Sequence, residues 1–196
     1  MNTQIRRINN YIEQILYYVR SENAEKDYII NESKLSKIIS AVALKNKDDL
    51  LENNITFEVS NADKIVLTDA KWMEFMLNQI VSNSIKYKDK TKAESYIKIS
   101  AAEDKKCIVL EILDNGIGIN ASDLPRVFDK SFTGENGHEY SKATGMGLYI
   151  VKKLCDKLGS KVSIESVNGE YTRVKITFYK NDFYKEITDS NESGSM

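Results

Sequence analysis

The chain has 196 residues, and its hydrophobic (41%) and charged (29%) fractions are close to the averages for soluble globular proteins. This length predicts one domain with a short extension, because a domain averages about 150 residues. Basic and acidic residues nearly balance, 28 against 29, for a formal net charge of −1. The sequence therefore lacks the basic excess of a nucleic-acid-binding protein, and its apolar runs are far shorter than the ~20 residues that span a bilayer.

Cysteine and histidine usage excludes several enzyme classes. Cys107 and Cys155 lie in apolar surroundings without metal-ligand spacing, which favours structural thiols in a reducing cytoplasm. His138 is the only histidine, so zinc clusters built on histidine and catalytic triads or dyads within this chain lose their support. The sequence also lacks a G-x-x-x-x-G-K-[ST] loop, and Ile150 stands where a dinucleotide fingerprint needs its third glycine.

The N-terminal segment predicts an amphipathic helix. Ile5, Ile8, Ile12, Ile15 and Val19 recur at alternating spacings of three and four residues. Such a stripe is typical of a helical hairpin or bundle, yet no equally regular partner helix follows. We expect the partner in another chain or in a missing segment; the alternative is a helix that lies on the domain's own core.

Helices and strands then follow in separate blocks. A capping signal at 31–33 opens a second helix that ends near residue 54, and Asp69 is expected to cap a helix from about 70 to 87. The apolar positions of the second helix are Leu35, Ile38, Ile39, Val42 and Leu44. The remaining predicted elements are strands at 55–59, 65–67, 96–101, 107–113, 161–165 and 171–178, and a helix at 145–158.

This order of elements predicts an α+β two-layer sandwich with mostly antiparallel strands. The last two strands form a hairpin that turns at Asn168-Gly169. Between 116 and 144 the periodicity is lost, and an irregular segment of this length is usually functional or mobile.

Polar side chains border the apolar face of the helix predicted at 70–87. At about 100° per residue, Gln79, Asn83, Lys86 and Tyr87 share one face. An amide oxygen can ligate Mg²⁺, and a lysine one turn further on can neutralise phosphate charge. The alternative is an ordinary solvated helix face.

A carboxylate ends the apolar face of the strand predicted at 107–113. A buried Asp114 needs a hydrogen-bond donor, and the amino group of adenine is a suitable one. Gly116 and Gly118 would let the backbone approach a flat base. The alternative is a hairpin turn at Asn115-Gly116, which the non-alternating sequence beyond Ile119 disfavours.

A third motif, Thr144-Gly145-Met146-Gly147-Leu148, opens the helix predicted at 145–158. Free N–H groups and the positive end of the helix dipole favour an anion there, and the glycines admit a close phosphate. By itself this motif is weak evidence.

Taken in order, the motifs strongly resemble the N, G1, F and G2 boxes of the GHKL ATP-binding fold. The matching residues are Asn83, Asp114 with Gly116 and Gly118, Phe128 with Phe132, and Gly145 with Gly147. The chain resembles in particular the catalytic domain of sensor histidine kinases, over roughly residues 33–179. Residues 11–18 are similar to the second helix of the dimerisation hairpin in small intramembrane-sensing kinases of the antibiotic and antimicrobial-peptide response.

The resemblance implies three regions and a two-layer α/β sandwich preceded by one amphipathic dimerisation helix. Residues 1–25 would be the C-terminal helix of an incomplete dimerisation and phosphotransfer hairpin. Residues 31–180 would be the ATP-binding catalytic domain, and 181–196 a flexible tail.

It also implies residue roles. Asn83 would hold Mg²⁺, Lys86 and Tyr87 would contact phosphate or ribose, and Asp114 would accept from adenine N6. The expected catalytic set is Asn83, Gln79 and Lys86. The other expected ATP-binding residues are Gly116, Gly118, Ile119, Arg126, Phe128, Lys130, Phe132, Thr144, Gly145, Met146, Gly147 and Leu148. Residues from about 120 to 144 would form a lid over ATP that orders when nucleotide binds.

Three departures from the family pattern matter. Gln79 stands where related ATPases place a glutamate, and an amide cannot serve as a general base, which disfavours fast hydrolysis. Ala143 replaces a glycine that often begins the last motif. No phosphoacceptor motif is present, because His138-Glu139 does not continue as one and falls inside the expected lid.

The resulting hypothesis is Mg²⁺-dependent transfer of the ATP γ-phosphoryl group to a histidine outside this chain. The implied partners are the phosphoacceptor helix of the same parent protein, a second copy in a homodimeric parent and a cognate response regulator, with no nucleic acid. We expect two transmembrane helices upstream in the parent, so that the chain is a soluble cytoplasmic portion of a cell-membrane protein. The alternatives are a non-catalytic nucleotide-binding signalling module, a GHKL ATPase, and a serine kinase that acts on an anti-sigma partner.

Overall fold

The computed structural model of the chain describes residues 12–19, 28–134 and 144–180. Helix α1 covers residues 12–19. The later helices are α2 (Leu35–Lys45), α3 (Lys47–Glu52), α4 (Ala70–Lys86) and α5 (Gly147–Lys157), with a short 3₁₀ turn at Leu124–Arg126. The strands are β1 (Asn31–Lys34), β2 (Ile55–Ser60), β3 (Ile65–Thr68), β4 (Ser95–Glu103), β5 (Cys107–Asp114), β6 (Ser160–Val167) and β7 (Tyr171–Tyr179).

Five strands form the main sheet in the order β2-β4-β5-β7-β6. The β2–β4 pair is parallel and the other three pairs are antiparallel, as expected of an α+β sheet. The β6–β7 hairpin turns at Asn168-Gly169, where Gly169 has a φ of +79°. The prediction of six strands and of this turn is confirmed, with boundaries shifted by one or two residues at most positions.

Helices α2, α4 and α5 pack with one face of this sheet around a single apolar core. Residues with period two on β5 and with helical period on α4 point into it, because burial of apolar surface is the main favourable term in folding. The fully buried members with the largest side chains include Met73, Met76, Leu77, Ile80, Ile97, Ile99, Leu110, Ile112, Ile150 and Leu154. This arrangement is the two-layer α/β sandwich that the resemblance implies.

Helix α4 begins where the sequence predicts. The Asp69 Oδ1 atom accepts hydrogen bonds from the N–H groups of Lys71 (2.9 Å) and Trp72 (3.0 Å), so Asp69 is an N-cap. Its Oδ2 atom accepts from the Ile29 N–H at 2.8 Å. The cap therefore also anchors the chain that enters β1.

The prediction for residues 31–54 is wrong in two respects. Residues 31–33 do not cap a helix but belong to β1, which pairs antiparallel with β3 in a separate two-stranded sheet. The long helix is also interrupted at Asn46, whose side chain donates to Val42 O (2.9 Å) and to Asn78 Oδ1 (2.8 Å). Leu44 is also not a core residue: at about 100° per residue it lies on the face of α2 opposite Leu35, and it is 74% exposed.

The two cysteines differ in their surroundings. Cys155 is buried against Met76, with 3.7 Å between the two sulfur atoms, and burial raises its pKa to about 12. Cys107 lies at the start of β5, and its pKa is raised by burial and by the neighbouring Asp104 carboxylate. Both thiols are free and uncharged at neutral pH, as expected of structural cysteines.

Helix α1 contacts the sandwich with its polar and aromatic face. Tyr17 stacks on Phe75 of α4 with 3.8 Å between ring centroids, and Glu13 pairs with Lys45 at 3.1 Å. The apolar stripe points the other way, because Ile15 is 61% exposed and Ile12 and Val19 are about half exposed. The described part of this helix thus does not use its apolar stripe to lie on the core.

Some predictions fall outside the described residues: Ile5 and Ile8 of the stripe, His138, Ala143, and the tail beyond residue 180. Residues 116–133 contain no regular element beyond the 3₁₀ turn, as the loss of periodicity predicts. Within the described part of the chain, no helix is both long and apolar enough to cross a membrane.

Candidate functional site

Asp114 lies at the end of β5 on the face that the helices cover, and it is only 8% exposed. Its Oδ2 atom accepts a hydrogen bond from the Ser84 hydroxyl at 2.7 Å, and its Oδ1 atom accepts from the Gly116 N–H at 2.9 Å. The buried carboxylate that the alternation of β5 predicts is therefore present. Ser84 was missed by the sequence analysis, although its position next to Asn83 on α4 places a hydroxyl within reach of this strand end.

Burial raises the pKa of Asp114 above its ordinary value, because a charge is poorly solvated in a protein interior. The Ser84 hydroxyl, the Gly116 N–H and the positive charge of Lys92 each oppose this rise. A carboxylate accepts up to about four hydrogen bonds, so the Ser84, Gly116 and Thr172 donors leave it able to accept another. The group is suited to a ligand that offers an N–H.

The backbone after Asp114 packs too closely for side chains at two positions. A Cβ at Gly116 would lie 2.5 Å from Tyr87 O at the end of α4, and one at Gly118 would lie 2.1 Å from Val167 O. Gly118 also has a φ of +68°, which side chains disfavour. Asn115-Gly116 consequently forms no hairpin; the Ile117 N–H bonds Tyr87 O at 3.0 Å, which joins this segment to α4.

The glycine motif that opens α5 lies next to Gln79 of α4. A Cβ at Gly147, the first residue of α5, would lie 3.2 Å from the Gln79 Oε1 atom. The same oxygen accepts from Gln14 Nε2 of α1 at 2.7 Å, and Thr144 Oγ1 donates to Gln14 Oε1 at 3.2 Å. One glutamine of α1 thus bridges the buried Gln79 and the N-terminal approach of α5.

Three residues near the C-terminal end of α4 form the polar face that the sequence predicts. Asn83, Lys86 and Tyr87 are all half-buried. Lys86 Nζ donates to Tyr87 Oη at 3.1 Å and lies 4.6 Å from the centre of its ring. No described residue hydrogen-bonds to the side-chain amide of Asn83.

A metal ion at this place would have few protein ligands. Among the described residues, no group of three or more His, Cys, Asp or Glu side chains could hold an ion. An amide oxygen is a hard donor that fits Mg²⁺, which usually keeps waters and phosphates as its other ligands. The donor set therefore fits a cation that arrives with a phosphate ligand.

The base of the expected lid is ordered around aromatic side chains. Phe128 packs against the core, and the Arg126 guanidinium lies 4.5 Å from the centre of the Phe132 ring. Gly145 has a φ of +64°, and a Cβ there would lie 2.6 Å from Phe132 N. The Ser131 N–H bonds Gly145 O at 3.1 Å, so the described ends of the irregular segment meet each other.

The remaining predicted residues bond to neighbouring elements. Lys130 Nζ donates to the Tyr18 hydroxyl of α1 at 2.8 Å. The Ile119 N–H donates to Ser166 Oγ at 2.9 Å, and the Met146 N–H to Thr144 Oγ1 at 3.3 Å. Leu148 is half-buried against the core and the following Ile150 is completely buried, as expected of the helix that carries the glycines.

The structure brings the separate motifs together around α4. Ser84 links α4 to Asp114, the Tyr87 carbonyl links α4 to the glycine segment, and Gln79 faces the start of α5. Three features surround helix α4: a buried acceptor for a base, a glycine segment and the N-terminus of α5. This arrangement is that of the GHKL class of ATP-binding domains.

Comparison with known proteins agrees with this class. The family described as "Histidine kinase-, DNA gyrase B-, and HSP90-like ATPase" matches residues 68–182, more than half of the chain. The chain therefore belongs to this family, and ATP binding follows from its membership.

Curated relatives and solved structures point to one branch of the family. Sensor histidine kinase YxdK of Bacillus subtilis is 35% identical over 176 residues, which are 89% of this chain and 54% of that protein. Sensor protein BceS of Halalkalibacterium halodurans is 32% identical over 182 residues, 92% of this chain and 53% of that protein. The chain thus spans about half the length of these relatives.

The histidine kinase AdeS of Acinetobacter baumannii has a similar fold. Its structure superposes with a TM-score of 0.71 at 20% identity and covers 91% of this chain and 81% of that one. At this identity the similarity concerns the fold alone.

Proposed function

We propose that this chain is the ATP-binding catalytic portion of a sensor histidine kinase and transfers the γ-phosphoryl group of ATP to a histidine outside the chain. The observation that carries the proposal is the buried Asp114 carboxylate, held by Ser84 and Gly116, beside a glycine segment too tight for side chains. Such a pocket fits a flat base with an exocyclic amino group.

Each residue has a proposed part. Asp114 accepts from adenine N6 and orients the base, while Gly116 and Gly118 let the backbone lie against it. Asn83 supplies an amide oxygen to Mg²⁺, which would neutralise charge on the phosphates. Lys86 and Tyr87 lie one turn further along α4, where they contact phosphate or ribose. The N–H groups at the start of α5 bind the phosphate chain.

The transfer itself requires little covalent chemistry from these residues. The bond from the γ-phosphorus to the bridging oxygen of ADP breaks while a bond to an imidazole nitrogen forms, and the imidazole proton goes to solvent. Positioning and charge neutralisation supply most of the rate for such a step. The proposed catalytic set of Asn83, Gln79 and Lys86 acts in this way.

Gln79 favours transfer over hydrolysis. It is buried, and its oxygen lies at the start of α5, where the phosphates are expected. An amide has no basic lone pair at neutral pH and cannot remove a proton from water. The site therefore lacks at this position the base that a fast ATPase needs.

The similarity to YxdK and BceS supports the wider proposal. We infer that residues 31–180 are the catalytic domain and that residues 1–25 end a dimerisation and phosphotransfer hairpin whose acceptor histidine lies outside the chain. The parent would be a homodimeric cell-membrane protein of the intramembrane-sensing type, with this portion in the cytoplasm, and a response regulator would receive the phosphoryl group. The exposed apolar side chains of Ile12, Ile15 and Val19 are consistent with a partner helix.

The test is phosphoryl transfer in trans. The chain is incubated with Mg²⁺, ATP labelled at the γ-phosphorus, and a separately produced acceptor helix of the parent. We expect labelled histidine with the wild type and a loss of at least about a hundredfold with Asn83→Ala, because the metal contributes several kcal/mol to such transfers. Asn31→Ala is the matched control, since Asn31 is exposed in the two-stranded sheet.

The rival functions give different results in the same experiment. ATP binding without labelling of any docked acceptor would indicate a signalling module. Steady release of phosphate would indicate an ATPase, and labelled serine on an anti-sigma partner a serine kinase.

A further inference from the structure

Lys92 lies in the loop between α4 and β4, and its ammonium group reaches three backbone carbonyls. The distances from Nζ are 2.9 Å to Asn115 O, 3.2 Å to Gly116 O and 2.7 Å to Glu170 O. A lysine ammonium has three N–H donors, so these three carbonyls match its full capacity. Charge-assisted bonds of this kind are about twice as strong as neutral ones.

The side chain of Lys92 is a partly enclosed structural cation. It is 25% exposed, and the Asp89 carboxylate lies 3.9 Å away. Lysine side chains on a surface are usually extended into water, because confining them costs about 2 kcal/mol of rotamer entropy. Three carbonyl contacts offset that cost.

Two of the three carbonyls that Lys92 bonds belong to the segment that forms the proposed adenine site. Asn115 and Gly116 directly follow Asp114, and Glu170 is in the β6–β7 turn. That turn is itself bonded to the segment, since the Gly169 N–H donates to Ile117 O at 2.7 Å. Lys92 therefore ties the end of β5 to the neighbouring turn.

The Asn115 side chain also fixes this segment. Its Oδ1 atom accepts from the Tyr96 N–H and its Nδ2 atom donates to Glu94 O, both at 2.8 Å. Glu94 and Lys92 are in one loop, so that loop holds the segment at three residues in succession: Asn115, Gly116 and, through the turn, Ile117.

We propose that Lys92 is a positioning residue for ATP recognition: it holds the Asn115-Gly116 backbone so that the Asp114 carboxylate and the glycine segment keep the shape that adenine needs. The inference rests on the proposed function and adds a residue outside the family's motifs. Lys92 bonds backbone carbonyls of this segment, so it would act on adenine through Asn115 and Gly116 rather than by direct contact.

Electrostatics support this role. The positive charge of Lys92 lowers the pKa of Asp114 and so opposes the rise that burial causes. The other groups that face the carboxylate are the Ser84 hydroxyl, the Gly116 N–H and the Thr172 backbone, which are neutral. Lys92 thus favours the ionised, acceptor-only form of Asp114.

The test compares lysines at the two ends of β5. Lys180 is the matched control, because its Nζ donates to Asp104 O at 2.7 Å and pairs with Glu103 at 2.8 Å, at the end of the sheet remote from Asp114. Binding of Mg-ATP and Mg-GTP to the purified chain is measured by calorimetry for the wild type, Lys92→Met, Lys92→Arg and Lys180→Met. Labelling of the acceptor helix gives KM for ATP and kcat.

We expect Lys92→Met to weaken ATP binding by about tenfold or more, the value of a lost charge-assisted hydrogen bond, and to bind GTP no more weakly than before. KM should rise by the same factor with kcat within about twofold, since the phosphate end is untouched. Lys92→Arg should recover most of the affinity because guanidinium N–H groups can bond the same carbonyls, and Lys180→Met should bind as the wild type does.

Unchanged ATP affinity in Lys92→Met would overturn the proposal and leave the proposed function standing. Equal losses in Lys92→Met and Lys180→Met, or a fall in kcat without a change in KM, would also overturn it, because either would mean general destabilisation. If Lys92→Met does not fold, the decision rests on Lys92→Arg. A folded Lys92→Arg whose ATP affinity is more than about threefold weaker than that of the wild type would contradict the proposal. Absence of ATP binding by the wild type would overturn the proposed function and this inference together.

Discussion

The Ser84 hydroxyl donates a 2.7 Å hydrogen bond to the Oδ2 atom of Asp114, 30 residues further along the chain. This bond joins the helix that carries Asn83 to the strand that carries the proposed adenine acceptor. It is buried, so each partner depends on the other to offset its loss of water.

Replacing Ser84 with alanine is expected to lower the free energy of unfolding by about 1.5 to 3 kcal/mol at neutral pH, because the buried carboxylate loses a donor. The loss should shrink on acidification, when Asp114 is protonated. Urea unfolding at several pH values measures both effects. Ser82→Ala on the same helix is the control and should change stability by less than about 0.5 kcal/mol. Equal effects of the two substitutions would contradict the importance of the bond.

Asp114→Asn is expected to stabilise the free protein at neutral pH while it weakens ATP binding. The pKa of Asp114 is raised in the fold, so the folded state holds the proton more tightly than the unfolded state does. Ionised Asp114 therefore costs stability above the raised pKa, and that cost disappears as the pH falls below the ordinary value. The advantage of the variant should accordingly vanish by about pH 3.

Asp104→Asn provides a control of opposite sign for the same measurement. Hydrogen bonds from the N–H groups of Cys107 and Lys106 lower the pKa of Asp104, so its ionised form stabilises the fold at neutral pH. This variant should be less stable than the wild type at neutral pH and equal to it in acid. For Asp114, the contrary result would be a wild type more stable than Asp114→Asn at neutral pH. It would show that the hydrogen-bond donors to Asp114 outweigh the cost of burying its charge.

Gly118→Ala is expected to lower the free energy of unfolding by about 3 kcal/mol or more, and Gly169→Ala by only about 1 to 2 kcal/mol. Both glycines have positive φ, so both variants incur the backbone cost. Only at Gly118 would the new Cβ also meet a carbonyl, Val167 O at 2.1 Å, whereas no atom lies within 4 Å at Gly169. Denaturant unfolding gives the two values, and equal losses would exclude the close approach as the cause.

Tyr17→Ala should speed amide hydrogen exchange within residues 12–19 by about tenfold, because it removes the stacking of Tyr17 on Phe75. Exchange followed by mass spectrometry measures the rate for this segment alone. Ile15→Ala is the control, since the Ile15 side chain is 61% exposed. If both variants exchange at the wild-type rate, the contacts of α1 with the sandwich do not stabilise it.

The local sequence determined most elements and the order of the motifs, because the signals involved act over a few residues. Asp69 caps α4 through N–H groups two and three positions away, and Asn168-Gly169 suits the turn between β6 and β7. The alternation of β5 also predicts a buried Asp114 without any knowledge of its neighbours. These features depend on backbone geometry and on burial of one face, which a sequence shows directly.

The tertiary structure alone decided which distant groups complete these features. The polar strand β1 exists because β3 supplies its hydrogen-bond partners, and the predicted long helix is interrupted at Asn46, whose side-chain amide bonds Asn78. The donor for Asp114 comes from Ser84, and Lys92 reaches Glu170 across 78 residues. Hydrogen bonds between residues so far apart leave no local pattern, because the sequence around a serine or lysine does not show which distant group it bonds.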